Sequence, residues 1–466
     1  MELKFFRPLR RIFFFYKIVS MKNKILLQKI IFLFLSFFLF FNFSCKNKYY
    51  SQSEQKLKEV LSDVYSKIDE KSKIDSAVDE YLSSLSLVQR ISQLFIINLE
   101  GNERFIPVEF EYEVSKEKKD SNALIPAGYL FFSYNINSSP EKIIDFTDSI
   151  KGYCSKRNLV PPFLSIDQEG GLVNRLKDVS GPLPSAKRVS ECLSVKDSYY
   201  LYSLQALQMN CLGFNLNFFP LAEISTEKNE KFLNGRSFGS ENQVISYGRA
   251  AINAFSHNSI ASVLKHFPGN SNVDPHTGLP EIDLSLQELE KSLAGFKNLI
   301  SYNPEGVLLS HAKTLAFDKE NPACFSEKWI SERLLNDFGF SGIVFSDDIF
   351  MAALNKNGFP PEKASLMALK AGVDCIMISE KRFAKSAGII YESLKQDSSL
   401  LEKINASAKK MIEFKIKYKI LSLVKDEDSF YHVRSQKENE KQIRLEKFYK
   451  AKEENVSFYL KHFVKR

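Results

Sequence analysis

Eight short apolar runs with β-rich composition, most of them separated by helix-length amphipathic stretches, set the tightest limit on what this chain can become. The runs are 93–98, 128–133, 163–167, 213–219, 261–266, 306–311, 342–347 and 374–379, and between them lie segments such as 139–153, 199–211, 243–256, 286–299, 327–338 and 362–371. A strand reached only after a helix returns beside its predecessor in the same direction, so the alternation predicts parallel pairing with crossover connections. Eight such units over about 330 residues predict an α/β fold, a (β/α)8 TIM-type barrel forming a single catalytic domain. A doubly wound open sheet is the competing arrangement. Its dinucleotide-binding form needs Gly-x-Gly-x-x-Gly after the first strand, and none stands there.

The runs end on polar residues. Asp167, the pair Lys265 and His266, His311 and Asp347 each close a run at its C-terminal end. In a barrel that end is one rim, where the loops that do chemistry gather. The run 261–266 breaks at Pro268-Gly269 into a polar loop that carries Asp274 and His276. A carboxylate two residues from an imidazole can orient the ring and hold its charge, so that the His gives and takes a proton. The alternative is a surface loop with incidental polar residues.

The two ends of the chain have a different character. Residues 1–20 are basic and Phe-rich, and Met21 opens a second beginning: Met-Lys-Asn-Lys, an apolar run over 30–41, then Asn42-Phe43-Ser44-Cys45. A charged start, an apolar stretch too short for a comfortable membrane span and a small residue before a Cys describe an export signal. Residues 1–45 are therefore expected to be a leader, with Met21 a candidate true start and Cys45 the lipidated residue. Residues 46–85 read as a tether and leading helix, 86–420 as the barrel, and 421–466 as a charged helical tail. The last stretch is too polar for a core of its own. The net charge of +8 is spread rather than gathered in a stripe, which excludes a nucleic-acid footprint as the organising feature. None of the six cysteines forms a Cys-x-x-Cys pair, so no zinc or redox motif is expected.

Four stretches together resemble glycoside hydrolase family 3, in its β-N-acetylglucosaminidase branch. They are Ser165-Ile-Asp-Gln-Glu-Gly-Gly-Leu-Val-Asn-Arg175, Gly235-Arg-Ser-Phe-Gly239, Lys265 to Pro280, and Gly339 to Met351 with its Ser-Asp-Asp. The resemblance implies a barrel enzyme in which Asp347 is the nucleophile, His276 the acid/base and Asp274 its partner. Asp167, Arg175, Arg236, Lys265 and His266 would hold the hydroxyls of the carbohydrate substrate, and Asp348 would brace the loop. The chain departs from the family pattern at Leu172, where an Arg is usual, in a shortened loop Gly269-Asn-Ser-Asn, and at Glu223 in place of an Asp.

The chemistry is coherent on its own terms. Retaining hydrolysis needs a nucleophile on one face of the anomeric carbon and a proton donor on the other. Asp347 at a strand tip and the Asp274–His276 loop suit that chemistry, and the resemblance implies that the enzyme is a retaining, exo-acting β-N-acetylhexosaminidase. It would cleave terminal β-linked N-acetylglucosamine from peptidoglycan or chitin-type fragments, needing no metal and no cofactor. It is expected to be exported and membrane-anchored, facing the periplasm or cell surface. The alternatives are a β-glycosidase of the same fold with another sugar preference, and a catalytically weak lipoprotein that binds glycans or a partner.

Overall fold

A computed structural model describes residues 72–115, 123–275, 278–423 and 440–464. The chain divides into two compact units, Met1–Ile74 and Asp75–Arg466. The leader, Cys45 and the tether as far as residue 71 lie outside the described residues, as do His276 and Thr277. Among the described residues no helix is long and apolar enough to cross a membrane.

In the second unit all eight runs are strands: β1 (Phe95–Asn98), β2 (Gly128–Phe131), β3 (Phe163–Ile166), β4 (Leu216–Asn217), β5 (Ala261–Phe267), β6 (Gly306–Leu309), β7 (Ile343–Ser346) and β8 (Ile376–Ile378). Each pairs in parallel with the next, with Ile96 opposite Gly128, Gly128 opposite Phe163, Leu216 opposite Ala261, and Gly306 opposite Ile343. Strand β8 pairs with β1 through Ile376 and Phe95, and a bridge from Phe345 to Cys375 joins β7 to the start of β8. The sheet thus comes round on itself as a (β/α)8 barrel.

Two-residue periodicity fills it from both sides. Ile96, Leu130, Phe163, Val263, Leu308, Ile343, Phe345 and Met377 form one cluster, with Phe163 edge-on to Phe345 at 6.3 Å. Their neighbours Ile97, Phe131, Leu164, Leu264, Val307, Val344 and Ile378 join the separate, larger cluster shared with the helices. Strands buried on both faces read as continuous apolar runs, which is why the sequence exposes them.

The crossover helices carry local start and stop signals. Helix α1 (Pro140–Lys156) begins with Pro at its first turn behind Ser139, whose hydroxyl accepts the Lys142 N–H. Helix α2 (Val195–Leu212) is capped by Ser194 and stops at Gly213, whose φ of 98° suits a left-handed C-terminal residue. That stop explains why β4 begins later than its apolar run: Gly213 belongs to the helix end. The circuit continues through α3 (Glu241–His257), α4 (Ala294–Ile300), α5 (Lys328–Asp337), α6 (Pro361–Ala371) and α7 (Leu400–Lys417). A last helix, α8 (Glu440–Tyr459), lies along α2. Its Phe448, Ala451 and Asn455 are buried, and Arg444 makes a two-oxygen ion pair with Asp148 at 2.8 Å while its Nε donates to the Cys211 carbonyl.

Candidate active site

The rim at the strand C-termini gathers most of the polar residues singled out in the sequence. Past β3, Asp167 leads into a small antiparallel hairpin, Gln168–Gly170 with Val173–Asn174. Gln168 ties the hairpin down: its N–H donates to the Asn217 side chain at 2.9 Å, and its Oε1 accepts the Leu176 N–H. The turn runs through Gly170 and Gly171, both at positive φ. So held, Glu169 points into the protein with 1% of its side chain exposed.

Glu169 is the hub of a charge cluster. Its Oε1 lies 2.6 Å from Lys265 Nζ, and Arg236 grips both oxygens through Nε and Nη2 at 2.8 Å each. Lys265, at the end of β5, also donates to Asp167 Oδ1 at 2.7 Å. Burial alone would push the Glu169 carboxyl up, but the Lys265 and Arg236 charges and their hydrogen bonds override it and pull it down to about 2. The same ion pair raises Arg236 against its own burial.

His266 comes next on β5. Its Nδ1 lies 2.7 Å from Glu223 Oε1, which also accepts the His266 backbone N–H and an amide hydrogen of Asn270. At the tip of β7, the Asp347 N–H donates to the Leu309 carbonyl, and Asp347 Oδ1 accepts the Asp348 N–H at 2.8 Å. Burial opposes ionisation here too. The neighbouring His311 and His266, the Asp348 N–H and Lys265 outweigh it, so the Asp347 carboxyl sits below the usual Asp range. The leading part among these charges falls to the two histidines.

Asp348 moves the opposite way. Burial and the adjacent Asp347 charge raise it, against hydrogen bonds from the Ser379 and Phe350 N–H groups at 2.9 and 3.0 Å. Those bonds make it a brace of the β7 loop. His311, two residues past β6, braces the same loop: its Nε2–H donates to the Asp348 carbonyl at 2.9 Å, while Nδ1 lies 3.3 Å from Cys324 Sγ. Burial, with Asp347 nearby, pushes the Cys324 thiol well up, so it stays protonated.

Arg175 stands 5.6 Å over the Phe132 ring, and its Nε is buried without a hydrogen-bond partner. Asp274 is exposed on the loop after β5, and its carbonyl accepts the Gly278 N–H. Its expected partner His276 lies outside the described residues. Leu172, where the family pattern has Arg, is 70% exposed at the hairpin turn. Among the described residues no group of three or more His, Cys, Asp or Glu is placed to hold a metal ion.

Sequence reasoning missed Glu169 and the bracing pair His311–Cys324, and it treated Glu223 only as a departure. Glu169 carried a legible signal: a carboxylate two residues past a strand tip, before a Gly-Gly turn that folds it back. Glu223 and Cys324 carried none, because their partners stand far away in the chain.

Comparison with known proteins fits this geometry. The description "Glycosyl hydrolase family 3 N terminal domain" matches residues 88–414. A β-hexosaminidase A of Pseudoalteromonas piscicida is 25% identical over 319 residues, covering 62% of this chain and 53% of that protein. This chain therefore spans about half the length of that relative. A β-hexosaminidase of Nitrosomonas eutropha is 30% identical over 262 residues, covering 54% of this chain and 73% of its own. The solved family 3 β-N-acetylglucosaminidase of Paenibacillus sp. str. FPU-7 superposes with a TM-score of 0.64 at 23% identity, over 78% of this chain and 69% of that one, a likeness of fold. The chain belongs to glycosyl hydrolase family 3, and its likeness is to the β-hexosaminidases of that family.

Proposed function

We propose that the barrel is a retaining, exo-acting β-N-acetylhexosaminidase that releases terminal β-linked N-acetylglucosamine. One observation carries the reading: at the tip of β7 two adjacent carboxyls are pushed apart, Asp347 down and Asp348 up, within an otherwise charge-paired rim. The lowered Asp347 is the ionised carboxylate that a nucleophile requires, while Asp348, tied to the Ser379 and Phe350 N–H groups, braces the loop. Asp347, held ionised, attacks the anomeric carbon and forms a glycosyl-enzyme. His276, oriented by Asp274, protonates the leaving oxygen and then takes a proton from the water that releases the sugar. Asp167, Lys265, His266, Arg236 and Arg175 surround the sugar hydroxyls. The named relatives are β-hexosaminidases, which favours an N-acetylamino sugar over a plain hexose.

Hydrolysis of an aryl β-N-acetylglucosaminide tests this. Removing a covalent nucleophile in Asp347→Ala should lower kcat roughly a thousand-fold or more. His276→Ala should lower it roughly a hundred-fold, the weight of one general acid. Turnover untouched by either change, or parent protein active on aryl glucosides alone, would sink the assignment. The proposal includes export and lipid attachment at Cys45. Incorporation of labelled palmitate that persists in Cys45→Ser would remove that part.

A further inference from the structure

Helix α8 lies beyond the stretch that matches the family, yet it reaches the segment behind the active-site rim. Asn455, fully buried, donates from Nδ2 to the Pro182 carbonyl at 3.3 Å. Its amide also fills the space beside Gly181, where a Cβ would lie 2.5 Å from the nitrogen. From the other side α2 holds the same glycine twice: Gln208 Oε1 accepts its N–H at 2.9 Å, and Gln205 Nε2 donates to its carbonyl at 3.1 Å.

The residues after Gly181 touch the chain neighbours of both halves of the buried ion pair. The Leu183 carbonyl accepts the Gly171 N–H at 3.0 Å, and the Pro184 carbonyl lies so close behind Gly170 that a Cβ there would approach it to 2.2 Å. These two glycines form the turn after Glu169. Further along the same segment, the Lys187 N–H donates to the Gly235 carbonyl at 3.1 Å, next to Arg236. One short segment therefore backs the turn that aims Glu169 and the residue that aims Arg236, and α8 helps to hold its start. The helix has anchors of its own besides Asn455: Phe448, the Arg444–Asp148 pair, and Glu454 accepting the Tyr200 hydroxyl.

We propose that α8 is a positioning element of the active site, acting through Asn455 on residues 181–187 and so on the buried Glu169–Arg236 pair. The kinetic arm rests on the glycosidase reading above; the exchange arm does not. In the full chain, Asn455→Ala and the near-isosteric Asn455→Asp both remove the donor. Each should raise KM for the aryl β-N-acetylglucosaminide roughly three- to ten-fold with kcat little changed, the weight of one buried hydrogen bond. Tyr449→Phe, which removes an exposed α8 bond to Glu141 of α1, should leave both constants as they are.

Backbone hydrogen exchange supplies the second readout. Residues 168–175 and 235–237 should exchange faster in both Asn455 variants, while the strands of the barrel keep their protection. Unchanged KM together with unchanged exchange in those two stretches would overturn the proposal. Equal loss of protection across the whole barrel would overturn it too, since that marks a merely structural helix. Should the parent hydrolyse no aryl glycoside, the functional reading fails, and the exchange result alone decides this inference.

Discussion

Glu169 shows most plainly how single residues set this site. It is almost wholly buried, and its ionised form survives only because Lys265 and Arg236 close on it. Its carboxyl lies at about 2 in the folded chain, against about 4.5 for an ordinary Glu. A lowered carboxylate stabilises the fold fully above the ordinary value and loses that contribution as the pH falls toward the folded one. Between pH 4.5 and 2 the loss amounts to something on the order of 3 kcal/mol, at about 1.4 kcal/mol per pH unit. Glu169→Gln should flatten this part of the acid unfolding profile. At pH 7 it should lower stability by about 3 kcal/mol, because it takes from two buried cations the carboxylate they share. Urea unfolding at pH 7 and pH 3 checks both; an unchanged acid slope in the variant would assign the loss to other carboxylates.

Between elements, the rim is held by close backbone approaches more than by the helices' own signals. Helix α4 meets the strand-end loop at Gly295, where a Cβ would stand 2.1 Å from the Ala222 carbonyl. The next residue of that loop is Glu223, the partner of His266. Gly295→Ala must push the helix and this loop apart. It should lower stability by about 1–3 kcal/mol, the usual penalty for overpacking, and should loosen the His266–Glu223 contact. Chemical denaturation reads the first effect, and the His266 imidazole signals by NMR read the second; stability equal to the parent would show that the contact yields freely. The sequence revealed the elements better than their ends. The parallel strands were visible as apolar runs because both faces are buried. Strand β4 begins later than its run because Gly213 serves helix α2, a competition between neighbours that periodicity does not register.

Taken as a whole, the barrel carries a second buried ionisable group far from the rim. Lys415 of α7 is fully buried, with Nζ 2.5 Å from Gln93 Oε1. Burial pulls its ammonium down to about 7. From pH 7 up to the ordinary Lys value the unfolded chain binds more protons than the folded one, so stability rises with pH across that window. Below pH 7 the buried charge is a constant burden. Lys415→Met should therefore be more stable than the parent at pH 7, and its advantage should shrink by up to about 1.4 kcal/mol per pH unit as the pH is raised. Paired urea titrations at pH 7 and 9 test this; a constant difference would mean that Lys415 keeps its proton in the folded barrel.

The features legible in the amino-acid order are those that depend on neighbours along the chain. Strand and helix periodicity announced eight parallel strands and their crossovers, and the polar residues ending four of the runs marked the rim on which Asp167, Lys265, His266, His311 and Asp347 gather. Which of these touch was settled by the folded barrel alone. Arg236 grips Glu169 from 67 positions away, and Lys265 reaches Asp167 across 98. The His266–Glu223 and His311–Cys324 contacts likewise depend on different loops meeting. Electrostatic interaction depends on distance and burial, and neither is written into spacing. So the sequence could name Asp347, while the fold made histidines, more than arginines, the groups that hold its charge.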